Sequence, residues 1–347
     1  MKTENYLKTV EVSQTEDNLI MNRNTSPKRP LSDQDIVEAV LATPFNQYPE
    51  NEEVQFINAY ANYTGLNPKN VAVANGSDEW IQKLVIQFGQ GGVLALDPDF
   101  FMYQDYTHQL GYPFFQVASE VDFSFDIDTI IKALDQYQPS LFFISNPQNP
   151  TGQQFPARFL QMLADETEKR AITFVIDEAY IEFGQDYQRP DNANVLYIRT
   201  LSKIYGVAGL RVGLAIGQGP RFEKLKEINH PYPMNSVSLN LARKLFEDTS
   251  QLDEWVAYQR TIQQALQSAF DQVGDLVTVI PSATNFVFIF GDLVPDLDQY
   301  LADNGFIGRK YAGGKMAKAA RYSIIDTADY PKLKATIKAW RDQVENN

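Results

Sequence analysis

The sequence has no cysteine and only two histidines, His108 and His230, among its 347 residues. The lack of cysteine excludes disulfides and thiolate chemistry, and two histidines argue against a histidine-rich metal site or a serine–histidine triad. There is no run of 18 apolar residues, so no transmembrane helix is expected, and the first 18 residues lack the apolar segment of a secretory signal. We therefore expect a cytoplasmic protein without a metal site.

Positive charge is also scarce, since 44 acidic against 30 basic residues give a formal net charge of −14. A surface of that sign repels nucleic acid and anionic membranes, which argues against either as a partner. The ordinary consequence of such a charge is solubility. With 44% hydrophobic and 21% charged residues the composition is typical of a soluble globular protein, and the length suits two domains.

Short apolar runs alternate with helical patterns through the first two thirds of the chain. The runs occupy residues 71–75, 93–96, 114–118, 141–145, 172–177, 195–199 and 211–217, and helical patterns occupy 77–88, 127–136 and 156–169. Alternation of strand and helix predicts a mostly parallel sheet that is buried on both faces. Two earlier helices are predicted at 32–42, with Ser32 as the N-cap, and at 52–63.

The pattern changes from about residue 221. Amphipathic helices are predicted at 236–248 and 252–273, followed by the strand-like runs "VTVI", "NFVFIF" and "RYSII" and by a final helix near 330–343. This order indicates a smaller α+β region. We predict a large domain over residues 45–240, and a small domain made of residues 241–347 together with the N-terminal segment 1–44.

Polar motifs follow several of the apolar runs, at the carboxyl ends of strands where ligands gather in open α/β sheets. The motif "GSDE" (76–79) opens a helix whose free N–H groups suit a phosphate, although an ordinary N-cap explains it as well. The motif "NPQNPTG" (146–152) makes a rigid polar turn that would aim an amide at a ligand, with a loop free of chemistry as the alternative.

Two further motifs carry charge. In "DEAY" (177–180) an aspartate closes an apolar strand, where burial is costly unless a cation is near; a surface acid is the alternative. In "TLSKIYGVAGLR" (200–211) two hydroxyls, Lys203 and Arg211 lie within twelve residues. Such a set can bind an anion beside an amine that attacks carbonyls, and an ion-paired structural lysine is the alternative.

One ligand satisfies the four motifs together. They require a phosphate, a cationic ring nitrogen for Asp177, an oxygen for Asn149 and Tyr180, and an aldehyde for Lys203. Pyridoxal 5′-phosphate has all four groups, and a carboxylate at its ring nitrogen with a lysine at its aldehyde is how proteins tune it. We therefore predict pyridoxal 5′-phosphate as the cofactor.

These motifs resemble those of the fold-type I aminotransferases of class I/II, most closely the histidinol-phosphate aminotransferase-like branch. The resemblance runs from about residue 19 to residue 343 and rests on "SKIYGVAGLRVG", "NPQNPTG" and "DEAY". It implies the pyridoxal-phosphate-dependent transferase fold of aspartate aminotransferase. In that α/β fold, helices sandwich the mostly parallel central sheet of a large domain, and a smaller α+β domain is attached.

The resemblance also implies a role for each matching residue. Lys203 would bond the cofactor's aldehyde and move the proton, and Asp177 would pair with the ring nitrogen. Tyr180 and Asn149 would donate hydrogen bonds to the ring oxygen. Further contacts to the cofactor would come from Gly76, Ser77, Asp78, Phe100, Thr200, Ser202, Arg211 and, across a homodimer interface, Tyr48.

On the substrate side, Arg321 matches an arginine that holds a substrate carboxylate. Arg309 matches one implicated in holding the phosphate of histidinol phosphate, and Asn22 matches a segment that lines the pocket. The implied substrate site also includes Tyr48 and Asn149.

Two departures leave the amino donor open. The tyrosine-proline-glycine segment usual in this branch is missing upstream, and Arg23 stands where an acid is usual. The donor is histidinol phosphate, an aromatic amino acid or another acidic or apolar amino acid, with a 2-oxo acid such as 2-oxoglutarate as acceptor in a ping-pong cycle through Lys203.

Two other functions are weighed against the aminotransferase. The first is a decarboxylase of a phosphorylated amino acid, which the cofactor motifs do not distinguish. The second is the effector domain of a transcription regulator, which the acidic charge and the short upstream segment disfavour.

Overall fold

The computed structural model describes residues 18–346 and contains strands of two to six residues together with helices of eight to 22 residues. The strands are β1 (Leu19–Ile20), β2 (Val71–Asn75), β3 (Val93–Asp97), β4 (Phe114–Ala118), β5 (Leu141–Ser145), β6 (Thr173–Asp177), β7 (Val195–Thr200), β8 (Val212–Ile216), β9 (Thr278–Val279), β10 (Phe286–Phe290), β11 (Phe306–Ile307), β12 (Arg309–Lys310) and β13 (Ala319–Ser323). The helices are α1 (Asp33–Leu41), α2 (Glu52–Thr64), α3 (Ser77–Phe88), α4 (Met102–Gln109), α5 (Ile127–Tyr137), α6 (Ala157–Lys169), α7 (Gly219–Glu227), α8 (Ser236–Lys244), α9 (Thr249–Phe270), α10 (Val294–Asp303) and α11 (Tyr330–Glu345).

The central sheet has seven strands in the order β2-β8-β7-β6-β5-β3-β4. Its neighbours from β7 to β4 pair in parallel, as the alternating pattern predicts. The exception is β8, which runs antiparallel to both β7 and β2. Adjacent parallel strands need a long crossover, whereas β7 and β8 are joined by residues 201–211 with only a short 3₁₀ turn, so the chain doubles back.

Two layers of helices cover this sheet because its strands are apolar on both faces. Along β5, Phe142 and Ile144 belong to one core with α2, α5, α6 and α8. Leu141 and Phe143 point to the other core, with α3, α4 and α7. Alternation along the strand thus divides one apolar run between two buried layers.

Three helices, α4, α7 and α10, are absent from the sequence prediction. The first two are short and polar. Their sequences are "MYQDYTHQ" and "GPRFEKLKE", and each buries only two side chains: Tyr103 and Thr107 in α4, and Phe222 and Leu225 in α7. Such short, polar helices carry too few apolar positions for a 3.6-residue repeat to be visible. By contrast, α1 is confirmed with Ser32 as its N-cap, since Ser32 and Asp35 form a reciprocal capping box.

A second, smaller sheet has the order β12-β13-β10-β9, and its helices α9, α10 and α11 enclose a separate core. The N-terminal strand β1 pairs in parallel with β11, and Met21 is buried in this core. Along α9, Leu252 belongs to the large core and Ile262 to the small one. Helix α1 packs on α8, whose Leu239 also lies in the large core. The predicted domain limits at residues 44 and 240 stay a prediction.

Within residues 18–346, no helix is long and apolar enough to cross a membrane.

Candidate active site

The carboxyl ends of β2, β6 and β7 bring the polar motifs to one edge of the central sheet. Asp177 is the last residue of β6 and pairs in register with Ile198 of β7. Thr200 is the last residue of β7, and Lys203 follows it in the connection to β8. The motifs predicted to act together therefore lie side by side because the ladder aligns the ends of their strands.

The turn between β2 and α3 is held by close approach of β8. Gly76 has φ = 89°, and a Cβ on it would lie 2.5 Å from Nη2 of Arg211. A Cβ on Gly213 would lie 2.1 Å from the carbonyl carbon of Gly76. Only glycine at both positions lets β8 and the start of α3 meet.

The start of α3 points its N–H groups, and the positive end of its dipole, at the space beside Arg211. Arg211 donates to Oδ2 of Asp78 at 2.8 Å. Two hydroxyls complete this corner, since Thr200 donates to Oγ of Ser202 at 2.8 Å and accepts from the Ser202 N–H at 3.1 Å. Helix dipole, guanidinium and hydroxyls together make an anion site.

Asp177 lines the same cavity and is 3% exposed. Burial raises the pKa of its carboxyl to about 7, although hydrogen bonds from Tyr103 Oη (2.9 Å) and the Ala179 N–H (3.0 Å) oppose that shift. A buried acid in this state is stabilised as an anion by any cation placed beside it. Tyr103 was missed by sequence analysis, because it lies on α4 and is brought here by stacking on Phe143.

Lys203 is half-buried and lines the same cavity. Its Nζ donates a long hydrogen bond of 3.4 Å to the backbone carbonyl of Asn24 and lies 5.4 Å from the ring centre of Tyr180. The Oη of Tyr180 accepts from Nδ2 of Asn24 at 2.8 Å. Asn24 was also missed by sequence analysis, since nothing in "MNRNTSP" shows that the segment reaches these two residues.

A second acid lies near Asp177. Asp99 accepts from the Oγ and the N–H of Ser145 and from the Phe100 N–H, and burial raises the pKa of its carboxyl to about 8. The Ser145 Oγ in turn accepts from the Asn149 N–H at 3.1 Å. This acid, which the sequence analysis did not select, therefore holds the loop that positions Asn149.

The substrate residues come from three distant parts of the chain. Arg321 of β13 is 8% exposed, donates to Oδ1 of Asn149 at 2.5 Å and donates to the Asn22 carbonyl at 3.2 Å. Its guanidinium also lies 5.0 Å from the ring centre of Phe286. These contacts hold the guanidinium in place while Arg309, from β12, lines the same cleft.

Two connected cavities contain nearly all the predicted site residues. The inner one, of about 230 Å³, is lined by Ser77, Asp78, Phe100, Asn149, Asp177, Tyr180, Thr200, Ser202, Lys203 and Arg211. The outer one, of about 590 Å³, is lined by Asn22, Phe100, Asn149, Tyr180, Lys203, Arg309 and Arg321, and it also contains Arg23. Lys203 lines both cavities. The roles of these residues stay predictions, but the structure brings them together.

Tyr48 is the predicted site residue that lies elsewhere. It is 73% exposed and stacks on Tyr232, with ring centres 4.8 Å apart, and it lines neither cavity. Gly76 lies behind the inner cavity, where it makes room for Arg211.

The inner cavity fits pyridoxal 5′-phosphate in its donor set. Its lining combines a corner that can bind an anion, a buried acid and an amine. The burial of Asp177 is the observation that carries this fit, because a buried carboxylate gains most from a cationic ring nitrogen.

Comparison with known proteins agrees with this geometry. Residues 18–309 match the family model described as Aminotransferase class I and II. The histidinol-phosphate aminotransferase of Thermoanaerobacter sp. (strain X514) is 33% identical over 284 residues, which cover 80% of this chain and 79% of that protein.

Two solved structures share the fold. The histidinol-phosphate aminotransferase from Sinorhizobium meliloti in complex with pyridoxal-5′-phosphate has a TM-score of 0.78 at 22% identity, covering 92% of this chain and 91% of its own. L-threonine-O-3-phosphate decarboxylase from Porphyromonas gingivalis has a TM-score of 0.72 at 17% identity, covering 93% and 99%. The predicted fold class is thereby confirmed.

Proposed function

Because the chain belongs to the class I and II aminotransferases, a family that uses pyridoxal 5′-phosphate, we propose that it moves the amino group of histidinol phosphate to a 2-oxo acid such as 2-oxoglutarate. The observation that carries this choice is that Arg309 and Arg321 line one cleft with Lys203. Two guanidiniums beside the reactive amine suit a donor with a phosphate and an acceptor with carboxylates, because arginine binds both groups in a forked geometry.

The cofactor, when bound, supplies an electron-accepting ring at the donor's reacting carbon. Asp177 would keep the ring nitrogen charged. That cation would in turn offset the free-energy cost of burying the Asp177 carboxylate. The corner formed by Ser77, Thr200, Ser202 and Arg211 would hold the phosphate. Lys203 would bind the aldehyde and, once displaced by the donor, carry the proton from one carbon to the other.

The location of Lys203 on the wall of both cavities supports this role. Tyr180 and Asn149 also line both cavities and would hold the ring oxygen. Arg321 already donates to Asn149, so substrate binding and ring binding share one hydrogen-bond chain. These roles are proposals for this chain, supported by the distances given above.

We further propose a homodimer in which Tyr48 reaches the partner's phosphate. The support is its exposure and its location outside both cavities of its own chain. An exposed tyrosine stacked on a second aromatic is a common component of protein interfaces. A cytoplasmic location, with no nucleic-acid or membrane partner, likewise stays a proposal from the sequence.

The test is a half-reaction screen without an acceptor. Histidinol phosphate, phenylalanine, tyrosine and aspartate are each mixed with the cofactor-loaded protein, and the absorbance of the lysine–cofactor linkage is followed. We expect histidinol phosphate to convert the linkage to the amino form fastest, with release of the matching carbonyl product. Conversion by phenylalanine alone would assign an aromatic donor instead.

Release of carbon dioxide from a phosphorylated amino acid, without formation of the amino form of the cofactor, would overturn the aminotransferase in favour of the decarboxylase. The matched control is Arg309→Lys, which keeps the charge but loses the forked geometry. It should slow the reaction with histidinol phosphate more than the reaction with aspartate.

A further inference from the structure

The N-terminal strap, residues 19–26, crosses from the small sheet to the cavity. Its β1 pairs with β11, and the Met21 carbonyl accepts from the Ser323 N–H at 2.7 Å. Farther along, the Ser26 Oγ accepts from Nε2 of Gln259 at 2.8 Å. Between these two anchors lies Asn24, which is buried with 3% of its surface exposed.

Asn24 makes five hydrogen bonds to four residues. Its N–H donates to Oγ of Ser323 (2.9 Å), and its Oδ1 accepts from that same Oγ (2.9 Å). Its Nδ2 donates to Oη of Tyr180 (2.8 Å). Its carbonyl accepts from Nδ2 of Asn285 (3.0 Å) and from Nζ of Lys203 (3.4 Å). One buried residue, through its main chain and its side chain, thus connects Ser323 of the small sheet to Tyr180 and Lys203 in the site.

These contacts give the Asn24 amide an orientation in which both of its polar atoms are paired. Ser323 Oγ accepts from the backbone N–H and donates its single hydrogen to Oδ1. The amide nitrogen then faces Tyr180. Because Tyr180 Oη accepts from this nitrogen, its own hydrogen is left to be donated elsewhere.

The backbone of Asn24 is adapted to its contacts. Its φ of 55° is in the left-handed region, which asparagine enters more easily than other side chains. In that conformation the Asn24 carbonyl points at Lys203 and Asn285, while the Asn24 side chain reaches Tyr180. The residue therefore contributes through both main chain and side chain.

We propose that Asn24 is a positioning residue, which turns the Tyr180 hydroxyl into a donor toward the cavity and holds the amine of Lys203 whenever that amine is free. The inference deepens the proposed function and rests on its assignment of Tyr180 to the ring oxygen. The N-terminal strap must therefore be docked for the Tyr180 hydroxyl and the Lys203 amine to be held in the correct orientation.

The test compares Asn24→Asp with Asn24→Gly, since both residue types accept the left-handed backbone. In Asn24→Asp the new carboxylate accepts a hydrogen bond from the Tyr180 hydroxyl, so the hydroxyl hydrogen no longer points into the cavity. The carboxylate also adds a negative charge beside Lys203. The pKa of the lysine–cofactor linkage, read from its absorbance, should rise by about one unit or more, and kcat should fall by about 10²-fold. Asn24→Gly should raise the same pKa by less and lower kcat about tenfold, because Tyr180 loses its hydrogen bond from the amide without gaining a charged acceptor.

Ser26→Ala is the control, because it removes a hydrogen bond of the same strap that touches neither Tyr180 nor Lys203. It should leave the absorbance titration unchanged. If Asn24→Asp titrates like Ser26→Ala and keeps its kcat within twofold, Asn24 has no positioning role. Should both position-24 variants fail to fold, Ser323→Ala decides, since it frees the amide to rotate; an unchanged titration there also overturns the proposal.

The titration needs no amino donor. A wild-type protein that forms the linkage but ignores histidinol phosphate contradicts the proposed donor and leaves the titration as a test of Asn24. A wild-type protein that forms no linkage contradicts the role of Lys203 itself.

Discussion

The two sides of the site are built in different ways. The cofactor side comprises residues 76–78, 177–180, 200–203 and Arg211, all at the ends of strands in one sheet. The substrate side comprises residues 22–24, Arg309 and Arg321. Its contacts join residues far apart in sequence, such as Arg321 with Asn22, 299 positions away. Ladder hydrogen bonds align the first side, whereas the second depends on three segments packing together.

This difference predicts separable effects. Changes on the cofactor side should alter the lysine–cofactor linkage itself, and changes at Arg309 and Arg321 should mainly alter substrate binding. Asn24 joins the two sides through Tyr180 and Lys203, so its substitution should also shift the titration of the linkage. The largest effect is expected at Lys203. In Lys203→Ala the reducible linkage is lost, and kcat should fall by at least about 10⁴-fold because both the covalent contact and the proton carrier are gone.

Borohydride reduction followed by mass spectrometry of the peptide containing residue 203 checks this prediction. Cofactor fixed to Lys203→Ala protein at any other lysine would show that the amine has been misassigned. Lys203→Arg is the matched control, because it keeps a cation in the cavity but cannot form the linkage.

The next largest effect is expected at Arg321, on the substrate side. Arg321→Ala should lower kcat/KM by about 10²- to 10³-fold, the cost of removing one partner of a buried charge pair. The linkage to Lys203 should still form, and its absorbance should shift only slightly, because Arg321 reaches the proposed ring-oxygen contact only through Asn149. Steady-state kinetics with donor and acceptor check this, beside Arg321→Lys. Loss of the linkage in Arg321→Ala would break the separation of the two sides.

A smaller effect is expected at Gly213, on the cofactor side. In Gly213→Ala the new Cβ would lie 2.1 Å from the Gly76 carbonyl carbon, and main chain cannot yield as a flexible side chain does. We expect a loss of about 1–3 kcal/mol of stability and weaker cofactor binding as the start of α3 moves. Thermal melting and cofactor titration measure both. Gly209→Ala is the control, since nothing lies within 4 Å of a Cβ there.

The smallest effect concerns pH. Burial raises the pKa of Asp177 from 3.8 to about 7, so between these pH values the folded chain holds a proton that the unfolded chain has lost. The stability of the cofactor-free protein should therefore fall as pH rises through that window. Asp177→Asn should melt with a shallower pH dependence, while Asp99 still contributes in both proteins.

Adding pyridoxal 5′-phosphate should reduce the loss of stability with rising pH in the wild type, because a cation then faces the Asp177 carboxylate. Melting curves between pH 5 and pH 8 test the point. Parallel pH profiles for wild type and Asp177→Asn would show that this carboxyl is not the titrating group.

The sequence was informative where function and local structure coincide. A strand followed by glycine and a helix, or by an aspartate, needs only its own neighbours to be recognised. The sequence therefore selected most of the residues that line the inner cavity, while their roles toward the cofactor stay predictions. The antiparallel direction of β8 was not predicted, although the missing helix between β7 and β8 is visible in "TLSKIYGVAGLR".

Residues that act through distant contacts could not be predicted in the same way. Tyr103 reaches Asp177 from a polar helix with no clear apolar repeat, and Asn24 reaches Tyr180 from 156 positions away. In the sequence, Asp99 resembles a surface acid. Only the structure shows that burial raises the pKa of its carboxyl and that it accepts a hydrogen bond from Ser145. Each of these residues can be identified only in the folded structure, because its chemistry depends on a neighbour that the local sequence does not reveal.

The connection that carries Lys203 begins and ends on strands that are paired on both sides, since β7 lies between β6 and β8, and β8 lies between β7 and β2. The conformational entropy of ordering its main chain is therefore lost when the chain folds, before any ligand binds. For protein engineering this separates two tasks. Substrate preference can be redesigned at Arg309 and Arg321 on the small sheet, with Asn24 of the strap left unchanged, while the connection that carries the reactive amine keeps a support that those changes do not touch.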